Sequence, residues 1–147
     1  ADLLKFLDKI NYEIIIPESV SKEVGNSIEK YKNIKIEKLK GKTLKKSISL
    51  RKLISEGEAD CLALAGAYRL NFIVCDDRKL LRQIFLSQNK YFKNIKVIGF
   101  SFFLHELIKK GLINDIWKSF DLIVEKNNWA RSEVYVANFI FLKEMGY

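Results

Sequence analysis

Glu56-Gly57-Glu58-Ala59-Asp60-Cys61-Leu62-Ala63-Leu64-Ala65, with Phe72-Ile73-Val74-Cys75-Asp76-Asp77-Arg78 a few residues later, is the stretch on which the fold turns. It reads as an acidic helix start, an apolar helix, and an apolar strand that ends in two aspartates. Ser55 and Glu58 have the spacing of a capping box, in which hydroxyl and carboxylate satisfy orphan amides at a helix start. That is a complete structural account of Glu58. From Ala59 to Ala67 the helix is small and apolar on nearly every side, the pattern of a buried helix. Asp60 is out of place there, because an ionised carboxylate is rarely left unpaired in an interior. Phe72 to Cys75 has no polar side chain, so it is expected to be a central parallel strand. Carboxylates thus stand at both ends of an apolar unit.

Elements to either side repeat the alternation. Leu3, Leu4, Leu7 and Ile10 have helical spacing. Glu13 to Ile16 is short and β-branched, a buried strand, and Pro17 suits the first turn of a following helix. Val20, Val24 and Ile28 continue that helix, with Glu23 beside the stripe as a rim ion-pair residue or a site carboxylate. Asn33 to Leu39 reads as a half-exposed edge strand or an extended connection, and Leu44 to Ile54 as a helix. After the aspartates come a helix from Lys79 to Leu86, a strand from Lys96 to Gly99, and a helix from Ser101 to Lys110 stopped by Gly111. Asn114 is expected to cap a helix reaching Lys126, and Ser132 to open the last one. Strands alternating with helices define an α/β class with a parallel sheet. The 147 residues suffice for a single domain, 1–147, with 112–147 as a C-terminal helical extension.

Composition narrows the function. No apolar run is long enough to cross a bilayer, and no secretory signal opens the chain. Cys61 and Cys75 lie in apolar elements and read as small buried hydrophobes. With His105 the single histidine, a zinc site is disfavoured. A cytoplasmic location follows. The net charge of +8 favours a polyanionic partner such as nucleic acid, although a Lys/Glu-rich surface alone produces the same number. Lys38, Lys40, Lys42, Lys45 and Lys46 form a basic run around Gly41, either a solvated loop or a phosphate-contacting patch.

Geometry turns the acidic residues into a candidate site. In open α/β sheets ligands bind beyond the carboxyl ends of the strands, where Asp76 and Asp77 lie. The preceding helix runs antiparallel to that strand, so its amino end, with Glu58 and Asp60, falls on the same side. The helix after the first strand starts there too and carries Glu23. Two like charges about 4 Å apart repel by about 4 kcal/mol at an effective dielectric near 20. Such a rim attracts a cation, and an all-oxygen donor set suits Mg²⁺ or Mn²⁺. Such an ion clamps a phosphodiester and lowers the pKa of bound water. On a basic chain this points to metal-dependent phosphodiester cleavage. Arg78 and Arg82 follow on one helix face, to hold phosphate or to pair with nearby carboxylates. His105 reads as a surface or interface residue. Trp117, Phe120 and Trp129 read as core or interface anchors, and the run Tyr135, Phe139, Ile140, Phe141, Leu142 as cover for a groove or a dimer partner.

The ordered set Pro17-Glu18-Ser19-Val20-Ser21-Lys22-Glu23-Val24, Glu56-Gly57-Glu58-Ala59-Asp60 with Leu62-Ala63-Leu64-Ala65, and Ile73-Val74-Cys75-Asp76-Asp77-Arg78 resembles PIN-domain proteins. The resemblance is to prokaryotic members with a Gly-Glu-Ala-Glu-Ala-like helix start, relatives of VapC toxins. Lys96-Val97-Ile98-Gly99 and Gly111-Leu112-Ile113 are also similar, so the match runs from residue 1 to about 125. It implies a three-layer α/β/α fold with a central parallel sheet. It also implies a Mg²⁺-dependent (or Mn²⁺-dependent) endoribonuclease, commonly a homodimer held inactive by a small antitoxin protein. By position Glu23, Glu58 and Asp76 would be the second, third and fourth acidic residues, with Asp60 and Asp77 as adjacent metal-ligand candidates. Arg78, Arg82, Lys42 and Lys45 are the candidate RNA contacts. The family pattern opens with a strand ending in an Asp-Thr-Asn-like motif. No strand precedes Ala1, and neither Asp2 nor Asp8 follows one, so that role is not carried over. Weak or absent nuclease activity of this chain is the expectation. The alternatives are a non-catalytic PIN-like module that binds RNA or protein and, less well matched, a regulatory domain with a phosphorylatable aspartate.

Overall fold

The structure is a computed structural model, and it describes residues 3–77, 79–80 and 95–147, the side chains of 3–5 and 26 excepted. A 3-10 helix, Leu3–Lys9, leads into strand β1 (Ile14–Pro17). Pro17 ends the strand in an extended conformation and caps helix α1 (Glu18–Val24), so it stands just outside the helix rather than in its first turn. A 3-10 turn at Asn26–Ile28 returns the chain to β2 (Ile34–Glu37). β2 runs parallel to β1, Ile14 lying beside Ile34 and Ile16 beside Ile36. Helix α2 (Gly41–Leu50) starts and ends earlier than the apolar spacing suggests, because residues 51–54 close it as a turn.

Helix α3 (Glu56–Ala67) opens with the expected capping box: the Glu58 amide donates to the Ser55 hydroxyl, and the Ser55 amide donates to the Glu58 carboxylate at 2.9 Å. Gly57, Ala59, Asp60 and the run Leu62 to Ala65 are buried. The helix has no solvated stripe because it lies across both strand pairs, touching β1, β3 (Phe72–Val74), α1 and α2. β3 pairs in parallel with β4 (Lys96–Ile98), Phe72 beside Lys96.

One expectation needs correcting here. Phe72 to Cys75 reads as a strand buried on both faces, yet Phe72 is 39% and Val74 36% exposed. Among the described residues β3 is hydrogen-bonded on one side only, by β4, and the two strand pairs share no ladder. No other described strand pairs with its second edge, and the apolar strand shows side chains that a further neighbour would cover.

Helix α4 (Ser101–Lys109) stops as expected. Gly111 adopts a left-handed φ of +65°, and the Leu112 amide donates back to the Leu107 carbonyl at 3.0 Å. Helix α5 (Ile116–Lys126) is capped by Asp115, whose carboxylate accepts from the Lys118 amide at 2.9 Å. The expected cap, Asn114, lies one residue too early. Ser132 caps helix α6 (Glu133–Glu144) as expected, accepting from Tyr135.

The core is in parts. Leu50, Ile54, Leu62, Ile73, Leu80 and Ile95 bind α2 and α3 to β3. Leu39, Ala63 and Leu64, with Ile15 and Leu44, close the other face of α3 against the first strand pair. Phe100, Leu104, Phe120, Ile123 and Leu142 join α4, α5 and α6, with Trp117, Trp129, Tyr135, Phe139 and Phe141 packed around them. Those aromatic residues are thus core anchors here. His105 is half-buried beside Tyr147, its Nδ1 3.0 Å from the phenol oxygen. Among the described residues no helix is long and apolar enough to cross a membrane.

Candidate functional site

The carboxyl end of β3 meets the amino ends of two helices, and carboxylates cap what meets there. Glu58 sits in the first turn of α3 with one oxygen on the Ser55 amide. Asp77 caps the helical residues that follow it, accepting from the amides of Lys79 at 2.7 Å and Leu80 at 3.0 Å. Asp76 turns the other way. It accepts from the Phe100 amide, at 3.0 Å to Oδ2, and from the Asn138 side-chain amide at 2.8 Å. Carboxylates at helix amino ends gain from the aligned peptide dipoles and from otherwise unsatisfied amides.

Of the acidic residues singled out from the sequence, Glu58 and Asp77 converge. Burial pushes the Glu58 carboxyl up, the Ser55 hydrogen bonds pull it down, and the Asp77 carboxylate in contact with it adds to the rise. Glu23, exposed on α1, comes next. A methyl at Gly57 would lie 3.4 Å from Glu23 Oε1, so Glu23 borders the turn that carries Glu58. The absence of a side chain at Gly57 is what lets α1 approach so closely.

Asp60 and Asp76 are directed elsewhere. Asp60 is almost fully buried and accepts from Ser19 on α1 at 2.7 Å, from Ser47 on α2, and from Arg51 Nη2 at 3.0 Å. Burial opposes its charge, but the Ser47, Ser19 and Arg51 hydrogen bonds and the Arg51 charge outweigh it and hold the carboxyl below the usual range. This resolves the anomaly of an aspartate in an apolar helix: it is the tie between three helices. For Asp76, burial raises the carboxyl while the Asn138 and Phe100 hydrogen bonds act against the rise.

Among the described residues, no group of three or more His, Cys, Asp or Glu is placed to hold a metal ion. The Glu58 carboxyl is in contact with Asp77 and Glu23 lies beside them, while Asp60 and Asp76 direct their hydrogen bonds to partners within the protein. A pair of carboxylates still fits Mg²⁺, which is held by one or two carboxylates with waters completing its shell. Cys61 and Cys75 are free and half-buried. Burial pushes their thiols up to about 12 and about 11, so both stay protonated and unreactive. Arg78 and Arg82 lie outside the described residues. Lys42 and Lys45 are exposed on the first turns of α2.

Sequence reasoning missed Asn138. It is 1% exposed, donates to Asp76 and to the Val134 carbonyl, and accepts from the Ser101 amide and hydroxyl. It thereby ties α6 to the start of α4 and to the end of β3. One polar residue inside the apolar run from Tyr135 to Leu142 was the available signal. Ser19, Ser47 and Arg51, which neutralise Asp60, carried no signal of their own.

Parallel strand pairs under a buried helix, with carboxylates gathered at a strand's carboxyl end, define an α/β protein of the kind that binds its ligand at that edge. The family model for the PIN domain matches residues 1–144, and the chain belongs to the PIN-domain family. PIN domains are in general nucleases. No curated protein and no solved structure matches the chain.

Proposed function

We propose that the chain carries the site of a Mg²⁺-dependent endoribonuclease of the VapC toxin type, which cleaves RNA phosphodiesters, with weak cleavage expected of the chain itself. The observation that carries this reading is the contact between the Glu58 and Asp77 carboxyls at the end of β3, with Glu58 raised by burial and by its neighbour. Such a pair takes up a proton or a cation to relieve its repulsion. Glu58 and Asp77 are the residues that would hold Mg²⁺ or Mn²⁺, with Glu23 the third carboxylate at hand. A bound ion there supplies neutralisation of the phosphodiester and a water of lowered pKa.

The chain's own residues preorganise that chemistry. The Ser55 amide fixes Glu58, and the Lys79 and Leu80 amides fix Asp77, so neither carboxylate must reorient to meet a ligand. Asp76, held by Phe100 and Asn138, anchors the strand end from which Asp77 projects. Lys42 and Lys45, with Arg78 and Arg82, would contact RNA phosphates. A homodimer, a small antitoxin partner and a cytoplasmic location accompany this reading.

The alternative is a non-catalytic PIN-like module that binds RNA or protein. It is favoured by the commitment of Asp60 and Asp76 to hydrogen bonds within the protein. Calorimetric titration with Mn²⁺, run beside a Mg²⁺-dependent cleavage assay on single-stranded RNA, separates the two. Glu58→Gln and Asp77→Asn should each lower ion affinity at least about tenfold, the order of loss seen when a metal-supporting group is removed. Cleavage should fall in the same order. A folded wild type that binds RNA but neither binds Mn²⁺ nor cleaves would replace the enzyme by the module.

A further inference from the structure

Asn138 lies on α6, in the C-terminal helical extension, 62 residues from Asp76, and its side chain ends on the Asp76 carboxylate. Nδ2 donates to Asp76 Oδ1 at 2.8 Å and to the Val134 carbonyl at 2.9 Å, and Oδ1 accepts from the Ser101 amide at 2.9 Å and the Ser101 hydroxyl at 2.7 Å. Both donors and both lone pairs of the amide are used, so it has one orientation. The consecutive amides at the amino end of α4 are divided between two side chains: Phe100 donates to Asp76, and Ser101 to Asn138. Gly99 leaves room for this, since an added Cβ would stand 2.5 Å from Asp76 Oδ1 and against the Asn138 amide. Asp76 is thus gripped by α4 directly and by α6 through Asn138.

Asp77 is the next residue, and its carboxylate is turned the other way, onto the Lys79 and Leu80 amides and into contact with Glu58. Where Asp77 meets Glu58 depends on where the chain at residue 76 is held, and the hydrogen bonds on the Asp76 carboxylate come from α4 and α6. We propose that Asn138 is a positioning residue of the ion site, acting through Asp76 to fix the end of β3 so that the Asp77 carboxylate meets Glu58. The proposal rests on the reading of that pair as an ion site. It makes α6 a working part of the site rather than a cover over the core. It also gives a reason for a fully bonded amide inside an apolar run: a leucine would fill the same space but could not grip a carboxylate.

The test is calorimetric titration of the full chain with Mn²⁺, read beside the amide spectrum of the metal-free protein. Asn138→Leu should lower Mn²⁺ affinity about tenfold, the low end of the loss when a group supporting a metal ligand is removed. Leu142→Val, which takes a buried methylene from the same helix, should leave the affinity unchanged. Asp76→Ala should lose as much as Asn138→Leu, and the double variant no more than either, because groups acting through one another are not additive. In the metal-free protein Asn138→Leu should shift the Lys79 and Leu80 amide resonances, and Leu142→Val should not. Wild type supplies a reading that needs no variant. By linkage, Mg²⁺ should slow exchange of the Asn138 side-chain amide protons by the same factor, about tenfold. Those of Asn33, just before β2 and bonded to the Leu7 carbonyl, should be unaffected. Wild-type affinity in Asn138→Leu, an equal loss in Leu142→Val, an additive loss in the double variant, or Asn138 exchange unmoved by bound Mg²⁺ overturns the proposal. The two failures are separable. Shifted Lys79 and Leu80 resonances in a chain that binds no Mn²⁺ sink the ion site and keep the positioning. Mn²⁺ binding with affinity and resonances unmoved by Asn138→Leu keeps the ion site and sinks the positioning.

Discussion

Asp60→Asn tests whether the aspartate of α3 is a tie between helices or a metal ligand. Its side chain is 6% exposed and accepts from two hydroxyls and a guanidinium. Hydrogen bonds to a charged group are worth about 1.5–3 kcal/mol each, but the carboxylate's burial cost, recovered on substitution, offsets much of their sum. Asparagine keeps the volume and one acceptor, and Ser19 can reverse its hydroxyl to accept from the new amide. What is lost is the charge facing Arg51 and part of the Ser47 contact, a net of about 2 kcal/mol. For a chain of this size that lowers the melting temperature by about 4–8 °C. Asp60→Ala, which leaves both serines without their acceptor and Arg51 with Glu56 as its remaining carboxylate, should cost more, about 3 kcal/mol.

The pH dependence follows from the depressed carboxyl. Its contribution is fully present above the unfolded value, near ~3.9, and is lost as pH falls through the lower folded value. Urea unfolding of wild type and Asp60→Asn should therefore differ at pH 7 and converge only as pH falls below the unfolded value. Mn²⁺ affinity should be unchanged in the folded Asp60→Asn protein. Equal stability at pH 7, or loss of Mn²⁺ binding with stability intact, would refute the reasoning.

Glu58→Gln keeps the capping box, because glutamine serves at that position, and so separates charge from cap. A raised carboxyl makes the native state bind its proton first, so wild type should gain stability over Glu58→Gln as pH falls from the raised folded value toward the unfolded one, read by urea unfolding between pH 7 and 4. Gly99→Ala would place a methyl 2.5 Å from Asp76 Oδ1 and against the Asn138 amide. Overpacking of about 1–3 kcal/mol should appear as a lower melting temperature, with the Ser101 and Asn138 amide resonances shifted together. Phe120→Ala removes a fully buried ring stacked 5.5 Å from Phe100 and should cost about 3–5 kcal/mol; a denaturation midpoint near wild type would contradict the shared core of α4, α5 and α6.

Local chemistry was legible wherever one short stretch determines it. Ser55 with Glu58, Ser132, Gly111 and the apolar run after Ala59 announce themselves because capping and helix burial depend on neighbours a few residues away. The parallel α/β class followed from strand and helix alternation. Which of two adjacent aspartates faces Glu58 did not follow, since it depends on where the distant Phe100 amide and Asn138 lie. The same holds for Asp60: its partners Ser19 and Ser47 are ordinary residues until three helices bring them together. The exposure of Phe72 and Val74 was invisible too, because hydrophobicity records what a strand can bury and not which neighbour buries it.

The carboxylates at the end of β3 each hold a helix or strand end in place as well as carrying charge. Folding alone is then enough to retain them. A descendant of this chain that had given up cutting RNA would still be selected to keep acids or their amides at 58, 76 and 77, since replacing them with alanine would fray the helices they cap. The first mark of such a change would be the exchange of Asp77 for asparagine, which preserves the cap and discards the charge.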